Sequence, residues 1–409
     1  MATEDRSLTA PHIRQGYEIL PISQRDLATR QTSVPLILPN DYQYDPSSVK
    51  VVKRPGVIRT HLVVVDEALE LLRDVKDPVS VVGICGTAQS GKSYAVSRLA
   101  GTHDAFELGN KMYPKSSGIW MGTKVLRNRE KGFVTILLDS EGTDAVYPEY
   151  ADHGGLLVMM VLLTSLLIYN TMKVPTKKDL VELKVLTDVI GKIRVKENEE
   201  VTEDMGALRR VFPNFMWLLR DVYLKLVHPD TGEEMTPSDY VKEVVFKKDT
   251  QKKEETDQEK IGRAIMTIFE RVEAFTLPLP GGSDVVEDIV ANANNIELKF
   301  NEKMKEFIEY ILSDLECNKD MTVNSKITGD QLATMLQHYV QAVNDPDDVP
   351  VIKSAWGASV ELRHKKILGN MVVKYNTEME HQTREVLRMS LPRIQVMALD
   401  EVQRDPYGQ

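Results

Sequence analysis

The sequence predicts an α/β domain with a mostly parallel sheet flanked by helices, followed by an all-α region. Three observations lead there. Apolar runs of strand length, Val79–Cys85, Phe133–Leu138 and Phe215–Leu219, alternate with helical periodicities, the signature of strand–helix–strand crossovers. A glycine-rich loop, Gly86–Ser93, connects the first of these strands to a helix. Beyond Leu277-Pro278-Leu279-Pro280-Gly281-Gly282 no strand signal recurs and long helical stripes take over.

The elements follow in order. Residues 1–48 are polar, carry Pro11, Pro21, Pro35, Pro39 and Pro46 and show no sustained period, so they are expected to form an extension, flexible or partly ordered by docking. Val63, Val64, Ala68, Leu69, Leu71 and Leu72 make a helical stripe ending near Asp74, before Asp77-Pro78 breaks it and the Val79–Cys85 strand begins. Leu156–Tyr169 reads as a buried helix running into a buried strand, with Thr164 and Ser165 near the join; it is shorter than the ~20 apolar residues that span a membrane. A helix over Lys178–Lys192, a strand over Phe215–Leu219 and a hairpin-like turn at Pro229-Asp230-Thr231-Gly232 come next. The charged run Lys247–Lys260 is expected to be a solvated loop or helix face.

In the last part, helices are predicted over about Asp284–Leu315, from a capping box at Thr328 and Gln331 through Val343, and over Val351–Glu380, with a final helix interrupted at Pro392. The expected division is therefore an extension at 1–48, an α/β domain at 49–282 and a helical domain at 283–409.

Composition narrows the function. The 409 residues are 42% hydrophobic and 27% charged, enough to bury a sizeable core and inconsistent with wholesale disorder. A net charge of −10 argues against coating nucleic acid or anionic lipid through general electrostatics and leaves room for a local basic pocket. Cys85 and Cys317 are the only cysteines; they form neither a disulfide framework nor a cysteine zinc site, and suit a reducing, cytoplasmic setting. No signal-peptide core appears in the first 30 residues.

The chemistry concentrates in Gly86-Thr87-Ala88-Gln89-Ser90-Gly91-Lys92-Ser93, a G-x-x-x-x-G-K-S loop between a buried strand and a helix. Its glycines let successive backbone N–H groups face phosphates, and the helix N-terminus adds partial positive charge. Lys92 can reach the β- and γ-phosphates of a nucleotide and Ser93 can ligate Mg²⁺. The loop residues, together with Tyr94, are the expected phosphate-binding set. Asp139-Ser140-Glu141-Gly142 leaves the Phe133–Leu138 strand about 50 residues downstream of the loop. There Asp139 is placed to hold Mg²⁺ through water, and Gly142 to offer an N–H to the γ-phosphate. Between them, Lys115–Met121 is the expected switch segment, where Ser116 and Ser117 each carry a hydroxyl able to reach the metal. A carboxylate suits guanine, whose N1–H and exocyclic amine it can accept together. Asp221, after Arg220 at a strand end, is preferred over Asp179 of Thr176-Lys177-Lys178-Asp179, which follows Pro175 rather than a strand.

With these residues in hand the chain resembles the guanylate-binding proteins, large GTPases related to the atlastins and more distantly to the dynamins. GTAQSGKS, SSGIWMG, LLDSEGTD, VLLTSLLIYN, FMWLLRD and ITGDQLATMLQHYVQAV occur in family order. The resemblance implies a P-loop GTPase domain with GTP or GDP and Mg²⁺ bound, which forms a head-to-head homodimer with GTP, followed by a helical domain that moves in response. It further implies a role in host defence, contact with no nucleic acid and at most peripheral contact with membranes. It assigns the metal to Ser93, Ser116 and Asp139, the guanine to Arg220 and Asp221, and catalysis to Gln89, Lys92, Ser116 and Glu141; Leu224–Lys248 corresponds to the family's guanine cap. Three positions depart from the family pattern. Gln89 stands where an arginine is usual, a change that can cost about 10³–10⁵ in rate. Pro114 stands where a serine relays a proton, and Leu218 where threonine is common. Arg127 and Arg129 are the candidates for replacing the lost charge.

Overall fold

The computed structural model describes residues 12, 15–23, 31–108, 117–142, 153–175, 179–180, 183–184, 187, 193, 209, 211–223, 225–246, 256–317, 326–345 and 350–404. The chain divides into two compact units, Met1–Trp356 and Gly357–Gln409.

The elements of the first unit begin with β1 (Tyr17–Pro21), β2 (Ser33–Pro39), β3 (Tyr42–Asp45), β4 (Lys50–Lys53), β5 (Leu62–Val64) and α1 (Asp66–Asp74). Next come β6 (Val79–Gly86), α2 (Lys92–Leu99), β7 (Ile119–Gly122), β8 (Lys124–Asn128), β9 (Phe133–Ser140), α3 (His153–Leu163) and β10 (Leu166–Met172). They are followed by β11 (Asn214–Arg220), α4 (Asp257–Ile268), β12 (Val272–Leu277), α5 (Leu298–Asp314) and α6 (Gly329–Asn344).

Five strands run parallel in the order β12-β11-β10-β6-β9, and β7, β2 and β5 continue the sheet with antiparallel pairings. Strands β6, β9 and β11 are buried along their whole length, as expected of continuous apolar strands covered by helices on both faces. One cover is α2 and α5, where Tyr94, Phe106, Phe300 and Phe307 join one apolar cluster. The other cover is α1, α3 and α6, with α6 packed on both α1 and α3. Helix α3 is apolar nearly all round, which suits burial rather than a surface position. The join after α3 is pinned by Ser165, whose hydroxyl accepts from the Val81 N–H at 3.1 Å.

Part of the expected extension is instead built into the sheet. Strand β2 is buried throughout and sits between β7 and β5, and β1 pairs with β8. Proline cannot donate to a ladder and survives in sheets at bulges and ends. Pro35 falls where the β2–β7 register shifts, and Pro39 ends the strand. The prolines that hide the strand in the sequence are thus placed where the sheet tolerates them.

The strands stop near Leu277, but the compact unit does not stop with them. The helix expected over Asp284–Leu315 breaks into Ser283–Glu287, a 3-10 turn at Ala293–Asn295, and α5. The break falls on asparagines whose side chains compete for the backbone: the Asn292 amide donates to the carbonyls of Asp284 and Asp288 at 3.1 and 3.0 Å. The C-terminus of α5 is held by Lys131, whose ammonium donates to the carbonyls of Leu312, Ser313 and Leu315 at 2.8–3.2 Å.

Helix α7 (Ile352–Arg404) begins in the first unit and continues through the second. It runs through Pro392 without the interruption the sequence predicted. A proline removes one intrahelical bond, and the helix formers on either side carry the helix past it. Among the described residues no helix is long and apolar enough to cross a membrane.

Candidate functional site

The loop after β6 is braced by two neighbouring strand ends. Asn170 of β10 donates from its amide to the Ser90 hydroxyl at 2.6 Å and to the Ser90 carbonyl at 3.2 Å, and its own carbonyl accepts the Thr87 N–H at 3.2 Å. Arg220, the last residue of β11, donates to the Gly91 carbonyl at 3.1 Å. Gly91 is the N-cap of α2, with a left-handed φ of 78°, a conformation costly for residues with a Cβ. Inside the loop Lys92 is buried, and its ammonium donates to the Thr87 carbonyl at 2.7 Å. Gln89 is exposed, also with a left-handed φ, of 55°.

The first residue of α2 to face β9 is Ser93, whose hydroxyl donates to Asp139 Oδ2 at 2.6 Å. Asp139 is fully enclosed, and its Oδ1 is a buried atom with no hydrogen-bond partner among the described residues. Burial pushes its carboxyl up to about 6, against the opposing pull of the Ser93 bond and the Lys92 charge. Just beyond, Gly142 lies so close to the loop that a Cβ there would stand 2.4 Å from the Ala88 Cα.

Glu141 is held at both oxygens. Oε1 accepts from Arg59 Nη2 at 2.6 Å, and Oε2 accepts from the Gly118 N–H at 2.9 Å. The Glu141 N–H in turn donates to the Gly118 carbonyl at 2.9 Å. The carboxylate expected to organise water is therefore engaged in holding the start of β7.

On the other side of the loop, β10 and β11 are each followed by a residue with left-handed φ, Lys173 at 65° and Asp221 at 58°. The Lys173 N–H donates to the Arg220 carbonyl at 2.6 Å. Asp221 is half-buried; desolvation raises its carboxyl, while the charges of Arg220 and Lys173 lower it. Asp221 thus emerges at the sheet edge where the sequence placed it. Arg220 does not accompany it outward, because its guanidinium is spent on Gly91 and lies 5.8 Å from the Phe300 ring centroid.

Three further expectations shift. The Tyr94 side chain turns into the core, where it accepts from Arg98 at 3.0 Å and lies beside Phe300. Arg127 pairs with Asp77 at 2.6 Å and Arg129 with Glu18 at 3.2 Å. In the β8–β9 ladder Arg127 stands opposite Val134, five residues along β9 from Asp139, about 17 Å at the rise of a strand. Neither arginine is aimed at the loop. Ser116, Pro114 and Thr176–Lys178 lie outside the described residues. Sequence reasoning gave no role to Asn170, Lys173 or Arg59. The first two had a usable signal, since each sits at the end of a buried strand beside the loop strand; Arg59 had none.

The model of the guanylate-binding protein N-terminal domain matches residues 59–320. The chain belongs to the guanylate-binding protein family. Relatives in that family include guanylate-binding protein 1 of Pongo abelii, 27% identical over 83% of this chain and 56% of its own length. Human guanylate-binding protein 3 is 28% identical over 78% of this chain and 53% of its own length. Mouse guanylate-binding protein 7 is 29% identical over 71% and 45%. The chain spans about half the length of these relatives. The family match runs across the point where the strands end, in keeping with a compact unit that continues past Leu277.

Proposed function

We propose that this chain binds GTP with Mg²⁺ and hydrolyses it to GDP and phosphate, with GTP-dependent pairing of two copies through the α/β unit and a response in the helical part. The observation that carries the reading is the Ser93–Asp139 contact at the head of the loop, with the second Asp139 oxygen buried and without a hydrogen-bond partner among the described residues. A hydroxyl and a buried carboxylate are oxygen donors of the kind a hard divalent cation takes. Such an ion would supply charge neutralisation on the phosphates.

The chain's own residues divide the remaining work. Lys92 moves its charge from the Thr87 carbonyl to the phosphates, and the Gly142 backbone, pressed against Ala88, faces the terminal one. Asp221 accepts the two guanine donors from the end of β11. Asn170 and Arg220 keep the loop in shape while this happens. The family placement supports the same reading.

A second reading, a GTP-bound switch with little turnover, is favoured by Gln89 in the loop and by the engagement of both Glu141 oxygens. Phosphate release from GTP with Mg²⁺, followed across protein concentrations, separates the two. Specific activity rising with protein concentration is expected for the pairing GTPase. A folded, GTP-loaded chain that releases no phosphate above buffer would establish the switch.

A further inference from the structure

We propose that Arg59 is a positioning residue of this site: by gripping Glu141 it fixes the backbone at Gly118, and so holds the entry to β7 against the Asp139–Gly142 turn that borders the loop. The inference rests on the GTPase reading above and extends it to a residue far from the motifs.

Four observations carry it. Arg59 and Glu141 are both buried, with side-chain exposures of 6% and 9%, and meet at 2.6 Å. Glu141 lies between Asp139, which holds Ser93, and Gly142, which touches Ala88. Its second oxygen and its own N–H both bond Gly118, so one carboxylate joins the β9 end to the β7 start. Gly118 admits no side chain there: its φ is 78°, and a Cβ would stand 2.0 Å from the Ile37 carbonyl of β2.

A buried ion pair is weak evidence for stability, since well-packed apolar residues of similar size often do as well. What a pair adds is direction, because the planar guanidinium fixes the carboxylate's orientation. The carboxylate is the one that follows the metal-site aspartate by two residues. Arg59 therefore acts through Glu141 and Gly118. Apart from Lys92, the loop Gly86–Ser93 has no cation, so the geometry around the terminal phosphate depends on how its neighbours are held.

The experiment compares the parent with Arg59→Ala, Arg59→Lys, Glu141→Gln and the Arg59→Ala/Glu141→Gln double variant, all in the full chain. Three quantities are measured: affinity for a non-hydrolysable GTP analogue with Mg²⁺, phosphate release at saturating GTP, and amide exchange at residues 117–120 without ligand. For Arg59→Ala, affinity is expected within about threefold of the parent, turnover reduced at least tenfold, and exchange at Gly118 faster. Arg59→Lys recovers part of both losses. The double variant is no worse than the singles, as expected when two residues act as one unit.

Parent-like turnover and exchange in folded Arg59→Ala overturns the proposal. So does a loss of turnover matched by equal losses of affinity and thermal stability, which would mark a merely structural pair. Should Arg59→Ala fail to fold, Arg59→Lys and Glu141→Gln carry the same comparison. A parent that binds no guanine nucleotide sinks the GTPase reading instead, and Gly118 exchange then decides alone whether Arg59 holds this backbone.

Discussion

Asp139 illustrates how burying a single carboxyl sets a cost in the ligand-free protein. Its carboxyl is raised to about 6 by burial, so between pH 3.8 and about 6 the folded state holds the proton more tightly than the unfolded chain does. Stability of the ligand-free protein therefore falls as pH rises through that window and stays lower above it. Asp139→Asn keeps an acceptor for Ser93 and removes the buried charge. The variant is expected to be about 1–3 kcal/mol more stable than the parent at pH 7.5 and close to it at pH 4. Its Mg²⁺-dependent GTP affinity should fall at least tenfold. Urea unfolding at the two pH values, with nucleotide titration at the higher one, checks both. A destabilised Asn variant at pH 7.5 would mean that Asp139 is not paying a desolvation penalty. The residue's burial was not legible in the sequence, although its position at the end of an apolar strand was.

At the scale of elements, legibility followed locality. Strands β6, β9, β10 and β11 announce themselves through unbroken apolar runs, and α6 through Thr328 and Gln331 followed by a three-and-four stripe. In the structure Thr328 and Gln331 close a capping box: the threonine side chain accepts the Gln331 N–H, and the Thr328 N–H donates to Gln331 Oε1 at 3.2 Å. Thr328→Ala is expected to cost about 1 kcal/mol, the usual worth of an N-cap, and to lower the thermal midpoint by a few degrees. Because α6 packs on α1 and α3 rather than on the loop, GTP affinity should not move, and scanning calorimetry with a binding assay separates the two effects. Strand β2 was illegible because Pro35 breaks its alternation, and only the bulge opposite β7 explains how the sheet accommodates it. Helix α5 was misjudged at its start because asparagine side chains, and not hydrophobic period, decide where it can begin.

Among the described residues, burial thins out after the first turns of α7. Ile352, Ala355 and Trp356 are buried, whereas every residue from 361 to 385 is exposed. A helical stretch this exposed draws little stability from packing. A chain ending at Trp356 is thus expected to unfold cooperatively with a thermal midpoint within about 3 °C of the full chain, and to bind GTP with the same affinity. A drop well beyond that, or loss of binding, would show that residues 357–409 support the α/β unit. The change of composition near Pro280 marks where strands end, but α5 and α6 return to cover the two faces of the sheet. Compactness depends on that return, which no linear reading of composition reports.

The sequence by itself determined the glycine-rich loop, the strand that feeds it, the acidic turn at the end of β9 and the aspartate after β11, because each is written in a few consecutive residues. Family membership follows from the same short motifs and is met again in the match over residues 59–320. The tertiary structure alone decided that Arg220 turns back to the loop, that Asn170 braces Ser90 from 80 residues away, and that Arg59 reaches Glu141 across 82. Backbone geometry and hydrophobic period act between near neighbours, so they leave a local trace. A hydrogen bond between side chains distant in sequence leaves none until the sheet has brought their strand ends together.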